Sequence, residues 1–342
     1  MKRIDAFTHF FPKGYYDLMG EVAGHMGDMV RRARAIPAIH DLDERFRVMD
    51  KFPDYAQVLS LPAPPLEIIS GGNPDTALEL AKRCNDGLAE LCAKYPDRFP
   101  AFVAQTPLAT PDAGVAETQR AIRDLGAIGT QIYSNVAGKP LDRPEFEAFF
   151  AAMNDLRKPI WLHPSRGAKH PDYLDEKKSL YEIWWTFGWP YETSVAMARL
   201  VFSQTLDKYP NLKIIAHHLG AMVPYFEGRV GPGWDQLGKR TSDEDYFSLL
   251  KSLKKRPLDY FKQDFYADTA VFGSRAATMC GLEFYGIDHV VFASDCPFDP
   301  EQGPGYIRET LQILEGLNLS TEDKEKIYFR NLEKLTGHSF SS

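Results

Sequence analysis

A (β/α)8 barrel, with an insertion after the first strand and helices closing the C-terminal end, is the fold this sequence predicts. Three observations predict it. Apolar runs alternate with helix-like stretches along the whole chain without a break in composition, and eight of the runs read as strands. Four of those runs lead into a residue that can bind a metal: Ile4 to Thr8 into His9, Ile160 to Leu162 into His163, Ile214 to Ala216 into His217 and His218, and Val290 to Ala293 into Ser294 and Asp295. Barrel strands share one C-terminal rim, so side chains far apart in sequence converge there. Finally, 342 residues with 44% hydrophobic content can bury one large core, and a single domain over 1–342 is expected.

Taken in order, Ile4 to Thr8 is the first strand. Pro12 to about His40 is a polar, Gly-containing insertion, too long for an ordinary connection and so marked as functional. A helix opens at Asp41, where acidic residues suit the positive end of its dipole, and it carries Arg45 and Arg47. Gln57 to Ser60 is strand two. Leu78, Ala81, Leu88 and Leu91 mark the apolar face of a helix from Pro74 to Tyr95. Phe99 to Gln105, Ile128 to Tyr133 and Pro159 to His163 follow as strands three to five, separated by helices at Pro111 to Leu125 and Pro144 to Arg157.

Ser165 to Pro190 is irregular and aromatic (Tyr181, Trp184, Trp185, Phe187, Trp189), which suits a loop over a pocket better than a barrel helix. Glu192 to Tyr209 is the next helix. Leu212 to His217, Phe265 to Thr269 and His289 to Ala293 are strands six to eight, and helices at about Tyr306 to Leu314 and Thr321 to Leu335 end the chain.

The net charge of −7 and a pI near 5.8 argue against a nucleic-acid or anionic-membrane surface. No apolar run approaches the ~20 residues of a membrane helix. Met1 to Asp5 runs straight into a strand, so no signal peptide is expected. Cys84, Cys92, Cys280 and Cys296 lack the spacing of a zinc knuckle or a disulfide framework, and read as reduced thiols of a cytoplasmic protein.

His9, His163 and Asp295 would make a divalent-metal site with three protein ligands, leaving a position for water or substrate. Each of them would otherwise cap a loop. Side chains of neighbouring strand residues point opposite ways, so only one of His217 and His218 is expected at the barrel mouth, the other packing between strand and helix. A histidine beside the metal is a natural general acid or base.

The stretches Ile4-Asp5-Ala6-Phe7-Thr8-His9, Leu162-His163-Pro164, His218-Leu219-Gly220-Ala221-Met222-Val223-Pro224 and Ser294-Asp295 resemble the amidohydrolase superfamily. The branch they resemble most is the aminocarboxymuconate semialdehyde decarboxylase-like group, and the similarity runs nearly end to end. The resemblance implies a non-hydrolytic carbon–carbon lyase that removes carbon dioxide from a conjugated or aromatic acid. It implies zinc, or else manganese, held by His163 and Asp295, with His218 rather than His217 as the acid/base and Asp295 beside it in the catalytic pair. It also implies substrate contacts from Arg45 on its helix and Trp185 over the pocket, and from Arg229 lent by a neighbouring subunit of a homodimer or larger oligomer.

One departure stands out. Where that family's first strand carries His-x-His or Glu-x-His, this chain has Phe7-Thr8-His9, and phenylalanine cannot ligate a metal. The metal is then held by His9, His163 and Asp295 alone, or an extra ligand such as His217 joins, or the site has lost its metal. The first is the expectation here, with Phe7 as an apolar wall on the substrate side. A metal-dependent hydrolase or hydratase is the alternative activity, and a binding protein without metal the alternative class.

Overall fold

The computed structural model describes residues 1–340 of the chain. Its barrel strands are β1 (Arg3–His9), β2 (Tyr55–Ser60), β3 (Ala101–Phe102 and Ala104–Gln105, interrupted at Val103), β4 (Thr130–Tyr133), β5 (Ile160–His163), β6 (Ile214–Ala216), β7 (Phe265–Asp268) and β8 (Val290–Val291). Each lies where the sequence predicts a strand. All pair parallel in sequence order, β1 to β2 and so on to β8. The interruption in β3 divides its partners: Ala101 pairs with Val58 of β2, and Ala104 with Thr130 of β4. The segment after β8 returns to β1, where Ala6 N–H donates to Phe292 O (2.8 Å) and His9 N–H to Cys296 O (2.9 Å). Closure of this kind removes free sheet edges.

The floor of the barrel interior is apolar. Ile4, Ala6, Val58, Val103, Ile215 and Val291 form one buried cluster with Trp161, whose indole N–H donates to Ala6 O at 3.1 Å. Ala6 and Phe7 are sequence neighbours, yet both belong to this cluster, which strict alternation along a strand forbids. The β1–β2 register shifts between Asp5 and Thr8, and that irregularity turns the phase of the strand. Beyond it, Phe7 and His9 point into the barrel together, their ring centres 4.9 Å apart.

The insertion after β1 is built from two helices, Lys13–Val22 and Gly27–Arg34. Tyr15 and Met19 bury the first against the long helix Pro74–Lys94. Gly87 permits the close approach, since a Cβ there would meet Pro12 Cβ at 2.6 Å. At the C-terminal end, a π-helical turn at Lys326–Arg330 presents Ile327 O to Phe292 N–H (2.8 Å), and Asn331 Nδ2 donates to Val290 O (2.8 Å). The closing helix therefore holds the short β8 and aims the segment that carries Asp295. Among the described residues, no helix is long and apolar enough to cross a membrane.

Candidate active site

Four side chains converge at the C-terminal rim. His9 ends β1, His163 ends β5, His217 follows β6 and Asp295 follows β8, and each is at least 95% buried. The ligand nitrogens of His9, His163 and His217 all lie within 4.8 Å of one another, and so do ligand atoms of His217, His218 and Asp295. His9 Nε2 is 2.9 Å, and His217 Nε2 3.5 Å, from Asp295 Oδ1.

The outer nitrogens of the rings set which atom faces inward. His163 Nδ1 lies 2.7 Å from Pro164 O, and a carbonyl only accepts, so Nδ1 carries the proton and Nε2 is bare. Ser60 Oγ gives its one hydrogen to Thr8 O (3.0 Å), so His9 Nδ1 donates to Ser60 Oγ (3.0 Å) and its Nε2 is bare too. A bare nitrogen 2.9 Å from a carboxylate oxygen needs a proton or a metal ion between the two acceptors. His217 Nδ1 donates to Asp268 Oδ2 (2.6 Å), leaving a buried Nε2 with no hydrogen-bond partner among the described residues. Inward Nε2 atoms with Nδ1–H anchored behind them are the arrangement of ligating histidines, and these residues fit a divalent cation.

His217 and His218 depart from the expectation that only one reaches the mouth. β6 stops at Ala216, so strand alternation no longer governs the pair. His218 (φ 57°) and Leu219 (φ 55°) adopt left-handed backbone, and the two imidazoles stack with centres 3.7 Å apart. Gly220, at φ 73°, continues the turn where any Cβ would collide with the Tyr285 hydroxyl. Asp268 fixes this turn: its Oδ1 accepts from His218 N (3.1 Å) and Ala270 N (3.0 Å) while Oδ2 holds His217. His218 Nδ1 donates to Ala270 O at 2.7 Å, so its Nε2 is the free atom. Asp268 was not singled out from sequence. The signal was there, because it ends a strand just as the histidines do.

Burial and neighbouring charge set the protonation states. Burial pushes the Asp295 carboxyl up, but the His217 and His9 rings outweigh it and hold the group well below the usual carboxylate range. Burial pushes His217 down, but Asp268 and Asp295 together lift it to about 9. His218 is lowered to about 4 by burial and by the charge of His217. His9 and His163 are lowered chiefly by burial, His163 the further of the two. Beneath Asp295, the buried Asp5 accepts from Ser294 N (3.0 Å), Ser294 Oγ and Tyr55 Oη (2.6 Å), and burial raises its carboxyl to about 6.

A cavity of about 70 Å³ opens above His163 and Asp295. Its walls include Phe11, Trp185, Trp189, Phe272, Phe298 and Tyr306, with Arg32 among them. Trp185 lines this cavity, and Trp189 beside it lies 5.6 Å from the His163 ring. Phe7 does not line this wall. It sits fully buried under the imidazoles, 4.6 Å from the ring of His217 and 6.0 Å from that of His163. Arg229 is exposed and lines a separate cavity of about 780 Å³ with Tyr191, Met222 and Trp234.

Arg45 does not line the cavity either. It is 0% exposed, donating from Nε to Gln57 Oε1 (2.7 Å) and from Nη1 to Ala38 O (3.2 Å). The helix bearing it, Leu42–Met49, turns this face toward β2 and the end of the insertion. Arg45→Ala would leave a void and strip Gln57 Oε1 of the Arg45 donor, at a cost of about 3 kcal/mol. Thermal unfolding should show a melting point several degrees lower; an unchanged melting point with a sharply raised KM would return Arg45 to substrate binding.

Comparison with known proteins places this architecture. The Amidohydrolase family model matches residues 4–335. The chain is 34% identical over 272 residues to gamma-resorcylate decarboxylase of a Rhizobium species, covering 75% of this chain and 77% of that one. It is 26% identical over 329 residues to 2-amino-3-carboxymuconate-6-semialdehyde decarboxylase of Dictyostelium discoideum, covering 91% and 86%. Among solved structures, dihydroxybenzoic acid decarboxylase of a Polaromonas species, with bound manganese and the inhibitor 2-nitroresorcinol, superposes with a TM-score of 0.77 at 27% identity over 98% of this chain and 97% of that one. The strand-end histidines, the parallel ring of strands and these matches lead to one conclusion: the chain belongs to the amidohydrolase family, in its aminocarboxymuconate semialdehyde decarboxylase-like branch.

Proposed function

We propose that the protein is a divalent-metal-dependent, non-oxidative decarboxylase of an aromatic carboxylic acid. The observation that carries this reading is the convergence of three inward Nε2 atoms and Asp295 at the floor of an aromatic-walled cavity. Decarboxylase relatives of the same architecture support it. His9, His163, His217 and Asp295 would hold the metal, His217 standing in for the ligand that Phe7 cannot provide. The imidazole-rich set favours zinc over manganese, though the Polaromonas relative holds manganese. When bound, the ion supplies positive charge that draws the substrate's oxygens to the cavity floor.

The chain's own residues do the rest. Trp185, Trp189 and Phe298 offer flat walls to an aromatic ring and exclude water. His218, neutral and with only Nε2 free, accepts a proton there and passes it to the ring carbon that bears the carboxylate. The carbon–carboxylate bond then breaks, its electron pair restores the ring, and carbon dioxide leaves. One proton is consumed for each carbon dioxide released. We further propose that the chain works as one domain, in a homodimer to which the exposed Arg229 contributes at the neighbour's site. The four free cysteines suit a cytoplasmic setting.

Incubating the metal-loaded protein with a panel of hydroxybenzoates and muconate-like acids in 18O-labelled water tests the reaction class. Carbon dioxide release with no label in the organic product is expected. Label incorporated by hydrolysis or hydration, without carbon dioxide, would replace the lyase with a hydrolase or hydratase.

A further inference from the structure

We infer that Asp268, at the end of β7, is a positioning residue for the metal: by taking the Nδ1 proton of His217 it fixes the tautomer whose Nε2 can ligate. This rests on the reading of His217 as a ligand and goes one residue beyond it. The ligand missing at Phe7 is then made good by a pair, His217 backed by Asp268, rather than by an imidazole alone.

Asp268 is built for this partner. Its side chain is 0% exposed, and among the described residues it makes no ion pair with a lysine or arginine. A buried carboxylate needs compensation, and the basic side chain in hydrogen-bond reach is His217, at 2.6 Å. The carboxylate cannot turn away from it. Oδ1 is pinned by the backbone N–H groups of His218 (3.1 Å) and Ala270 (3.0 Å), which leaves Oδ2 for the His217 ring. The Phe7 ring packs on that same imidazole at 90°, with centres 4.6 Å apart. His9 and His163 are anchored instead by uncharged acceptors, Ser60 Oγ and Pro164 O. Only His217 therefore has a carboxylate behind its Nδ1, and such a partner raises the basicity of a ligating imidazole. Charge points the same way. Asp295 is the single carboxylate among the proposed ligands, and Asp268 adds a second negative charge through the ring it holds.

Asp268→Asn isolates this role. The amide oxygen can keep both backbone N–H groups, but the amide nitrogen then faces His217 Nδ1. Two donors cannot pair, so Nδ1 becomes the acceptor and the proton moves to Nε2, where it blocks ligation. Competition of wild type, Asp268→Asn, His217→Leu and the double variant against a zinc chelator, at one fixed pH, tests the coupling. Asp268→Asn should weaken zinc binding about 10- to 100-fold, yet cost less than about threefold in the His217→Leu background. Multiple-bond proton–nitrogen spectra of zinc-saturated wild type labelled with 15N-histidine read the tautomer without any Asp268 variant. The His217 signal, assigned by its absence from His217→Leu, should show a proton on Nδ1 and none on Nε2. Zinc affinity unchanged by Asp268→Asn, or lowered equally in both backgrounds, would overturn the inference while His217→Leu still marks His217 as a ligand. Zinc bound as tightly by His217→Leu as by wild type, or a proton on His217 Nε2 in the zinc-saturated protein, would end the ligand reading and this inference with it.

Discussion

Replacing His218 by alanine is expected to reduce turnover about a thousandfold while leaving metal binding and melting temperature close to wild type. The ring lies outside the proposed ligand set: its Nδ1 is committed to Ala270 O, and its Nε2 has no hydrogen-bond partner among the described residues. Burial keeps it neutral above a pKa of about 4, so neutral pH finds it ready to accept a proton. Because the ring carbon takes its proton from the imidazolium form, turnover limited by His218 should rise as pH falls toward about 4, provided metal is kept saturating. Steady-state rates with parallel metal analysis would check both statements. A variant with kcat within tenfold of wild type would remove His218 from proton transfer.

The second large effect is expected at His217. With Phe7 in the first-strand position, removing His217 leaves the metal with two imidazoles and one carboxylate. His217→Leu should weaken metal binding by at least about a hundredfold, more than the 10- to 100-fold typical of a residue behind a ligand. Phe7→His in the His217→Leu background should restore part of that affinity, because the Phe7 ring lies 4.6 Å from that of His217. In the metal-free protein His217 is protonated up to about pH 9, so a metal must displace that proton. Affinity should therefore fall as pH drops below 9. Calorimetric titration at several pH values would measure this, and an affinity unchanged by His217→Leu would end the ligand role.

Much of this site was legible in the sequence because a buried strand is an apolar run, and a His or Asp where the run breaks has few bland explanations. That logic located His9, His163 and Asp295 and the ring of strands around them. It stumbled where strand rules stopped applying. Alternation was extended to His217 and His218, but the strand ends at Ala216 and a left-handed turn stacks both rings at the mouth. The same strand-end rule, applied to Phe265–Asp268, would have found Asp268. Arginine placement was not legible at all. Arg45 and Arg32 both sit on short helices, and only tertiary packing decides that the first is sealed against Gln57 while the second faces the cavity. In the insertion's first helix, Lys13–Val22, charged and polar residues surround the two buried ones, Tyr15 and Met19, so its apolar face does not stand out in the sequence.

Stripping the protein with a chelator and returning zinc or manganese in fractional steps, while recording carbon dioxide release from the best acid of the panel, tests the central claim most directly. Release should vanish in the stripped protein and rise in proportion to metal up to one equivalent per chain, with His163→Ala neither binding the ion nor responding to it. Release that persists without metal, or that reaches its full rate in His163→Ala, would contradict a metal centre built on these strand ends.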